Sequence, residues 1–392
     1  MGSSWFHSQA SAVFRSSGAL LLALTVACGS EPPVKPAGDA DAGEASGGSQ
    51  AGSGGAGGSV GSGGSAAGSA GSAMPGGGGA GGSSAPSGPT VVATAYGGCG
   101  LDAAGAIHCW GATPGEWQVP AGTFVELRSG DSWVCGIRED RSYACFAEPF
   151  GNPGVLDYAP EVAAQDLSVA NGALCVIDAE GAMTCGQVEF GVADLTPPEG
   201  QTFKRVSLGS DFACGIVASD DSVVCWGDEG EAGPDCVDVP AAGQLDPPPG
   251  EFIAVHSSGY TTCGIERAGA IRCWGAGEAT DDTQAMCGDG LYNYGQGAPA
   301  GGEFRSVSVS VSHACGVKVD GTVACWGAGT TDECTLDVNL NCRQSRPPVG
   351  EFEYVAVGRT HSCAMTAERK VQCWGNNGTE PGGRTEPPLV FQ

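Results

Sequence analysis

The chain has 392 residues, of which 44 are Asp or Glu and 17 are Lys or Arg, so its formal net charge is −27. This balance excludes proteins that bind nucleic-acid phosphates through a basic face. Nineteen cysteines are unusual for a reducing compartment and indicate an exported protein whose cysteines form disulfides. We therefore expect the folded part of the chain to lie outside the cytoplasm.

The first 27 residues have the pattern of an export signal. Arg15 precedes an uncharged stretch over 16–27 that contains four leucines. This stretch is too short for a membrane-spanning helix, and it fits a signal peptide. The sequence Leu24-Thr25-Val26-Ala27-Cys28 resembles the lipobox of bacterial lipoproteins, in which the cysteine is lipidated and begins the mature chain. We predict a signal peptide over 1–27 and lipidation of Cys28; an ordinary signal peptide beside an unrelated cysteine is the alternative.

The segment after Cys28 has the composition of a linker. Residues 29–88 contain 22 Gly, 12 Ser and 12 Ala, and no aromatic residue. Such a segment buries too little apolar surface to offset the entropy lost on ordering. We predict that 28–88 is a disordered tether with an r.m.s. length of roughly 40 Å.

Residues 89–392 contain a unit that recurs seven times and is clearest at His313–Gly327. Trp-Gly follows the second cysteine of the unit in five copies. Seven copies give about 43 residues each, the length of a four-stranded β-propeller blade. Every copy has two cysteines ten residues apart, or eleven in the fourth: Cys99 and Cys109, Cys135 and Cys145, Cys175 and Cys185, Cys214 and Cys225, Cys263 and Cys273, Cys315 and Cys325, and Cys363 and Cys373.

The spacing of each cysteine pair predicts a β-hairpin. Gly321 lies six residues after Cys315, as in a three-residue hairpin loop that ends in a left-handed Gly. Such a loop places Cys315 opposite Cys325 in a non-hydrogen-bonded pair, where Cα atoms approach to about 4.5 Å and a disulfide can form. Zinc ligation is the alternative, but zinc sites collect sulfurs from CxxC knuckles at one point. We predict a disulfide in each repeat and no metal.

Four cysteines lie outside Cys28 and the repeat pairs. Cys334 and Cys342 lie in one insert, and we predict that they pair with each other. Cys236 and Cys287 lie in the inserts of neighbouring repeats, and we predict that they link them.

A strand and a Pro/Gly connector precede each cysteine pair, as in Pro347–Phe352. With their H-x-C, D-G-x-V-x-C-W-G, G-Q and P-P-x-G-x-F elements, the units resemble the repeats of the regulator of chromosome condensation family, in a short Cys-rich form found in bacterial surface proteins. The resemblance covers 89–392 and implies an all-β, seven-bladed β-propeller with disulfide-stapled blades. The segment Pro387–Phe391 is similar to the start of an eighth copy, and we expect it to close the ring against the first blade.

One face of the propeller is expected to carry function. With four antiparallel strands in each blade, the Asp-Gly hairpins and the connectors lie on one face and the loops after Trp-Gly lie on the other. Long acidic inserts over 228–244, 277–296 and 328–345 lie on the second face, and loops on a rigid scaffold commonly carry binding sites. Tolerated surface loops are the alternative. The candidate contact residues are Tyr292, Asn293, Tyr294 and Leu340.

Catalytic and metal motifs are not evident in the repeats. The acidic inserts lack EF-hand spacing, which favours a solvated acidic face over a calcium site. His313 and His361 recur two residues before a cysteine, and we interpret them, with His108 and His256, as structural. Residues 89–392 contain no Walker loop, HExxH helix or dinucleotide fingerprint, so no cofactor is predicted.

We predict a lipid-anchored, non-enzymatic propeller at the outer membrane or cell surface that binds a protein, peptide or glycan and contacts the membrane only through its lipid. A secreted or periplasmic location is the alternative. A second class of function is a hydrolase or lyase, which needs two carboxyl groups at the channel mouth about 5 to 9.5 Å apart. The resemblance also implies guanine-nucleotide exchange, which is hard to reconcile with export, or β-lactamase inhibition. The sequence does not predict an oligomeric state.

Overall fold

The computed structural model describes residues 88–111, 117–149, 161–170, 172–187, 194–228, 243–277, 294–330, 342–377 and 383–392. In these ranges the chain forms 21 strands in seven antiparallel three-stranded sheets. They belong to a compact unit that spans 79–392. A 3-10 turn at Leu389–Phe391 is the helical element of the described residues, none of which form a helix long and apolar enough to cross a membrane.

Each sheet consists of three consecutive strands, and the middle strand pairs with both others. We refer to the sheets as blades 1 to 7. The strands are β1 (Val91–Ala93), β2 (Gly97–Leu101) and β3 (Ile107–Gly111) in blade 1; β4 (Glu126–Ser129), β5 (Trp133–Ile137) and β6 (Tyr143–Ala147) in blade 2; β7 (Asp166–Ala170), β8 (Ala173–Ile177) and β9 (Met183–Gln187) in blade 3; β10 (Phe203–Leu208), β11 (Phe212–Val217) and β12 (Val223–Gly227) in blade 4; β13 (Phe252–Ser258), β14 (Thr261–Glu266) and β15 (Ile271–Gly275) in blade 5; β16 (Phe304–Val309), β17 (His313–Lys318) and β18 (Val323–Gly327) in blade 6; and β19 (Tyr354–Val357), β20 (His361–Met365) and β21 (Val371–Gly375) in blade 7.

The second and third strands of each blade form the hairpin that the cysteine spacing predicts. In blade 6, Cys315 pairs with Cys325 across the ladder, their Cα atoms are 4.0 Å apart, and a disulfide joins them. The turn residue Gly321 has a φ of 85°, in the left-handed region.

The same disulfide staples the hairpins of the other six blades. Its Cα atoms are 4.0 or 4.1 Å apart in each of them. The bonds join Cys99 to Cys109, Cys135 to Cys145, Cys175 to Cys185, Cys214 to Cys225, Cys263 to Cys273 and Cys363 to Cys373. The prediction of disulfide-stapled blades is therefore confirmed.

The first strands of the blades form a closed ring around a central channel. Each first strand contacts that of the next blade, and β19 of blade 7 contacts β1 of blade 1. The residue opposite the first cysteine links several neighbouring blades, because its side chain accepts a hydrogen bond from a backbone N–H of the next first strand. These acceptors are Ser168, Ser207, His256 and Ser308. The all-β, seven-bladed propeller is confirmed.

The described part of each blade has three strands rather than the four expected. The connector 346–353 contains bends and no strand. It crosses the hairpin turn of the preceding blade, where the Phe352 N–H donates a hydrogen bond to the carbonyl of Gly321 at 2.8 Å. The backbone of the connector therefore forms a hydrogen bond to the hairpin turn of the neighbouring blade and does not add a fourth strand to the sheet.

The C-terminal segment closes the ring against blade 1, as expected. A Cβ atom placed on Gly100 would lie 2.8 Å from the ring of Phe391, just as one on Gly316 would lie 2.6 Å from that of Phe304 in blade 6. The Trp110 indole also donates a hydrogen bond to the Arg384 carbonyl at 3.1 Å. Phe391 therefore supplies to blade 1 the buried ring that Phe124, Phe203, Phe252 and Phe304 supply to blades 2, 4, 5 and 6.

Candidate functional site at the channel mouth

The propeller has two distinct faces. The hairpin turns and the connectors share one face, because the Phe352 N–H donates to Gly321; we call it the hairpin face. The turns between first and second strands share the other face with the residues after Trp-Gly, since the Ala276 N–H donates to the Tyr260 carbonyl at 2.8 Å. We call this second face the insert face, because the three acidic inserts begin and end there.

The Gly-Gln element fixes the ends of the inserts to this face. Gln296 is buried, its side-chain carbonyl accepts the Tyr294 N–H at 2.8 Å, and its amide donates to the Val311 carbonyl at 3.3 Å. Its backbone carbonyl accepts the indole N–H of Trp326 at 2.8 Å. Gln344 binds the indole of the next blade in the same way. The inserts are therefore attached to rigid points of the scaffold.

The structure describes one of the four candidate contact residues. Tyr294 is partly buried at the end of the insert 277–296. Cys342 is disulfide-bonded, and its partner lies outside the described residues because all the other described cysteines pair with one another. The remaining sequence predictions fall outside the described residues, and they concern residues 1–87, Cys28, Cys236, Cys287, Cys334, Tyr292, Asn293 and Leu340.

The central channel encloses a cavity of about 330 Å³ lined by all seven first strands. Arg128 lies in its wall and forms an ion pair with Asp166 at 2.8 Å and another with Glu126. His256 lies in the same wall, and its Nδ1 accepts the Val309 N–H at 3.2 Å. Desolvation lowers the pKa of His256 to about 4, and the charge of Arg128 acts in the same direction. Asp166 in this wall is therefore paired, whereas Asp131, which also lines the cavity, has no ion pair among the described residues, and the imidazole of His256 is neutral at pH 7.

At the insert face a second cavity of about 400 Å³ adjoins the channel, and we call it the mouth. It is built by turns between first and second strands from six of the seven blades. The charged and aromatic side chains of its lining are Tyr96, Asp131, Asp211, Tyr260 and Arg359, and Ser132, Ser210 and Ser310 add hydroxyl groups.

The two carboxyl groups of the mouth have no ion pair among the described residues. Asp131 is exposed at the mouth, yet desolvation raises the pKa of its carboxyl, and the charge of Arg359 opposes the shift. Desolvation also raises the pKa of Asp211, which accepts a hydrogen bond from the Tyr260 hydroxyl at 3.4 Å. The two carboxyl groups of the mouth thus lack an ion-pair partner among the described residues, and their pKa values are raised.

A third acid, Glu148, is buried beside the mouth and is 2% exposed. Its Oε1 accepts hydrogen bonds from the Tyr96 N–H at 3.1 Å and from the Thr94 hydroxyl. Its Oε2 has no hydrogen-bond partner among the described residues, and burial raises the pKa of this carboxyl. Glu148 follows Phe146-Ala147, the degenerate form of Trp-Gly in repeat two, so the repeat pattern gave no signal for it.

The histidines of the H-x-C element lie between blades. His313 Nε2 is 2.8 Å from the Ser362 hydroxyl, and His361 Nε2 is 3.0 Å from the Gly97 carbonyl. His108 lies 2.8 Å from Asp102, a partner that sequence spacing did not reveal. In the described ranges no three His, Cys, Asp or Glu side chains form a group that could hold a metal ion.

The fold and this geometry define the protein as a disulfide-stapled β-propeller. Residues 352–379, which lie in the seventh repeat, match the Regulator of chromosome condensation (RCC1) repeat, and this confirms the family resemblance. The chain therefore contains a repeat of that family. The seven disulfides of the described blades indicate that it folds in an oxidising, extracytoplasmic environment.

Three solved structures are similar to this chain, and the first of them has the same fold. The CRINKLY WD40 ectodomain of the Arabidopsis thaliana receptor kinase ACR4 is similar with a TM-score of 0.54 and 21% identity, over 76% of this chain and 99% of that one. The ectodomain of the Physcomitrella patens receptor kinase CR4 gives a TM-score of 0.49 and 24% identity, over 73% of each chain. Prp20p from Saccharomyces cerevisiae, a protein with binding properties to Gsp1p and histones, gives 0.48 and 14%, over 69% of this chain and 77% of that one.

Proposed function

We propose that this protein is an exported, non-enzymatic binding propeller that captures a protein, peptide or glycan through its mouth. The observation that supports this proposal is a cavity of about 400 Å³, built by turns of six blades, on the face where the inserts are attached. Cavities of about 300–1,000 Å³ with a few convergent polar groups are typical ligand sites. Loops on a rigid scaffold can vary around such a cavity without disturbing the fold.

The proposal includes a lipid anchor at Cys28 and a tether over 28–88 that holds the propeller at the outer membrane or cell surface. The lipobox-like sequence before Cys28 and the Gly/Ser/Ala composition of the tether support it. Wild-type chain is expected in the membrane fraction, with an intact mass that begins at a lipidated Cys28. Cys28→Ser is expected in the soluble fraction. An unlipidated wild-type chain in the soluble fraction would contradict the anchor.

Binding through the mouth is testable with the full chain and isolated envelope proteins and glycans. Tyr96→Ala/Tyr260→Ala removes both aromatic side chains from the mouth and is expected to weaken capture at least about tenfold, since buried Tyr contacts often dominate binding energy. Val349→Ala/Leu389→Ala, which changes two exposed residues of the hairpin face, is the control. Equal capture by both variants would refute a role for the mouth.

A hydrolase or lyase is the second candidate, favoured by the raised pKa values of Asp131, Asp211 and Glu148 around one cavity. A carboxyl with a raised pKa is better suited to general acid catalysis than an ordinary one. The capture experiment separates the two classes, because an enzyme would consume its captured glycan whereas a binding protein would retain it.

A further inference from the structure

We propose that the mouth receives a basic segment of a partner protein and binds its Lys or Arg side chain through the carboxylates of Asp131 and Asp211. This inference rests on the proposed function and deepens it, because it names the chemistry of the partner.

The first support is the contrast between Asp131 and Asp211, which line the mouth, and Asp166, which lines the channel only. Asp166 is buried in the channel wall, and Arg128 lies 2.8 Å from it. Asp131 and Asp211 have no cation within 4.0 Å among the described residues. Asp211 is partly buried, and a partly desolvated carboxylate without a counter-ion is unfavourable, so a bound cation would relieve this cost. Asp131 is exposed and open to a cation from solvent.

The cations near the mouth do not serve as counter-ions of Asp131 and Asp211. Arg359 is the cation of the lining, and it acts on Asp131 from beyond ion-pair distance. Arg384 lies over the ring of Tyr96, 5.3 Å from its centroid, and influences Glu148. On the blade 4 side, the neighbour of Asp211 is another acid, Asp228, which raises its pKa further. The site therefore keeps an excess of negative charge.

The second support is the pairing of aromatic and acidic groups. Tyr260 donates a hydrogen bond to Asp211, so an aromatic ring lies beside a carboxylate. Tyr96, 39% exposed, is the other ring of the mouth. Aromatic faces attract Lys and Arg, and their methylene stems pack on such rings. The contact of Arg384 with Tyr96 is an example within the protein itself.

The third support is the charge of the surrounding sequence. The inserts 228–244, 277–296 and 328–345 together contain twelve acidic residues and one basic residue. Their described ends lie on the insert face, beside the mouth. The net charge of −27, to which these inserts contribute, attracts a basic partner from a distance, and the carboxylates of the mouth then fix its position.

The test uses the full chain and a fluorescein-labelled nona-arginine peptide, with nona-glutamate as a second probe. Asp131→Asn/Asp211→Asn removes two charges from the mouth. Glu180→Gln/Glu368→Gln removes two charges from exposed turns of the hairpin face, so both variants have the same net charge. We expect the mouth variant to bind nona-arginine at least about tenfold more weakly and the control to stay within about twofold. Equal losses in both variants would show attraction by net charge alone and overturn the inference.

Capture from the envelope separates this inference from the proposed function. If Tyr96→Ala/Tyr260→Ala loses the captured partner while Asp131→Asn/Asp211→Asn retains it, the basic-segment inference fails and the mouth remains a binding site. If neither variant affects capture, the proposed function fails as well. Calcium that displaces nona-arginine from the wild-type chain and not from the mouth variant would also overturn the inference, because the site would then be one for a metal ion. Unchanged thermal melting of every variant shows that the fold is intact.

Discussion

Phe391→Ala is expected to destabilise the propeller by about 3–5 kcal/mol, the cost of truncating a buried aromatic side chain. The side chain is 1% exposed, and its ring centroid lies 5.9 Å from that of Trp110. It also belongs to the apolar cluster that joins β1 to blade 7. Its loss would therefore open a cavity at the junction where the ring closes, and the midpoint of urea unfolding should fall.

The matched control is Leu389→Ala, two residues earlier in the same 3-10 turn. Leu389 is 83% exposed, so its truncation is expected to change the free energy of unfolding by less than about 0.5 kcal/mol. Phe352→Ala, the corresponding change in blade 7, should cost as much as Phe391→Ala. A Phe391→Ala variant as stable as the Leu389→Ala variant would show that the C-terminal segment does not hold the ring closed.

Acidification from pH 6.5 to 4.5 is expected to weaken the fold through His313 and His361. Both side chains are fully buried, and desolvation lowers the pKa of His313 to about 3 and that of His361 to about 4. In the unfolded chain these histidines have a pKa of about 6.5, so below that pH the unfolded state binds protons that the folded state does not. Each histidine therefore makes its whole contribution to the free energy of unfolding above pH 6.5. As the pH drops below 6.5, the free energy of unfolding decreases by about 1.4 kcal/mol per histidine and pH unit.

The difference between wild type and His313→Gln/His361→Gln measures this effect. The raised pKa values of Asp131, Asp211 and Glu148 act in the opposite direction, because these carboxyls take up protons earlier in the folded state. They are common to both proteins and cancel in the comparison. We expect the double variant to be less stable at pH 7 and to lose less stability on acidification. If the free energy of unfolding fell equally with pH in the two proteins, the acid sensitivity would not come from His313 and His361.

The blades were predictable from sequence, because a disulfide across a hairpin requires its two cysteines to face each other, and the spacing of Cys315 and Cys325 recurs, with one added residue in the fourth copy, in every repeat. The ring closure by Phe391 was predictable for a similar reason, since its connector repeats an earlier pattern. No sequence pattern excluded a fourth strand. The connector 346–353 instead contains bends and contacts the hairpin of the preceding blade.

The mouth was not predicted, although the repeat register holds a signal for it. Tyr96, Asp211 and Tyr260 each lie three residues before the first cysteine of their repeat, and Asp131 and Arg359 each lie four residues before it. The residue types at these positions differ from repeat to repeat, so no motif marks them, and they meet only because the ring closes. His256 was also ambiguous: it occupies the position where neighbouring blades have Ser207 and Ser308, and it accepts the same inter-blade hydrogen bond.

The closure of the ring also governs how the protein assembles. Blade 1 is completed by a contact between Trp110 and Arg384, 274 residues apart, whereas the strands of every blade are joined by short turns. Contacts between such distant residues require closure of a long loop and form slowly. A chain that emerges from a translocation channel N-terminus first would therefore expose the edge of blade 1 until its last residues arrive. The oxidation of each hairpin is local and need not wait for that final docking step.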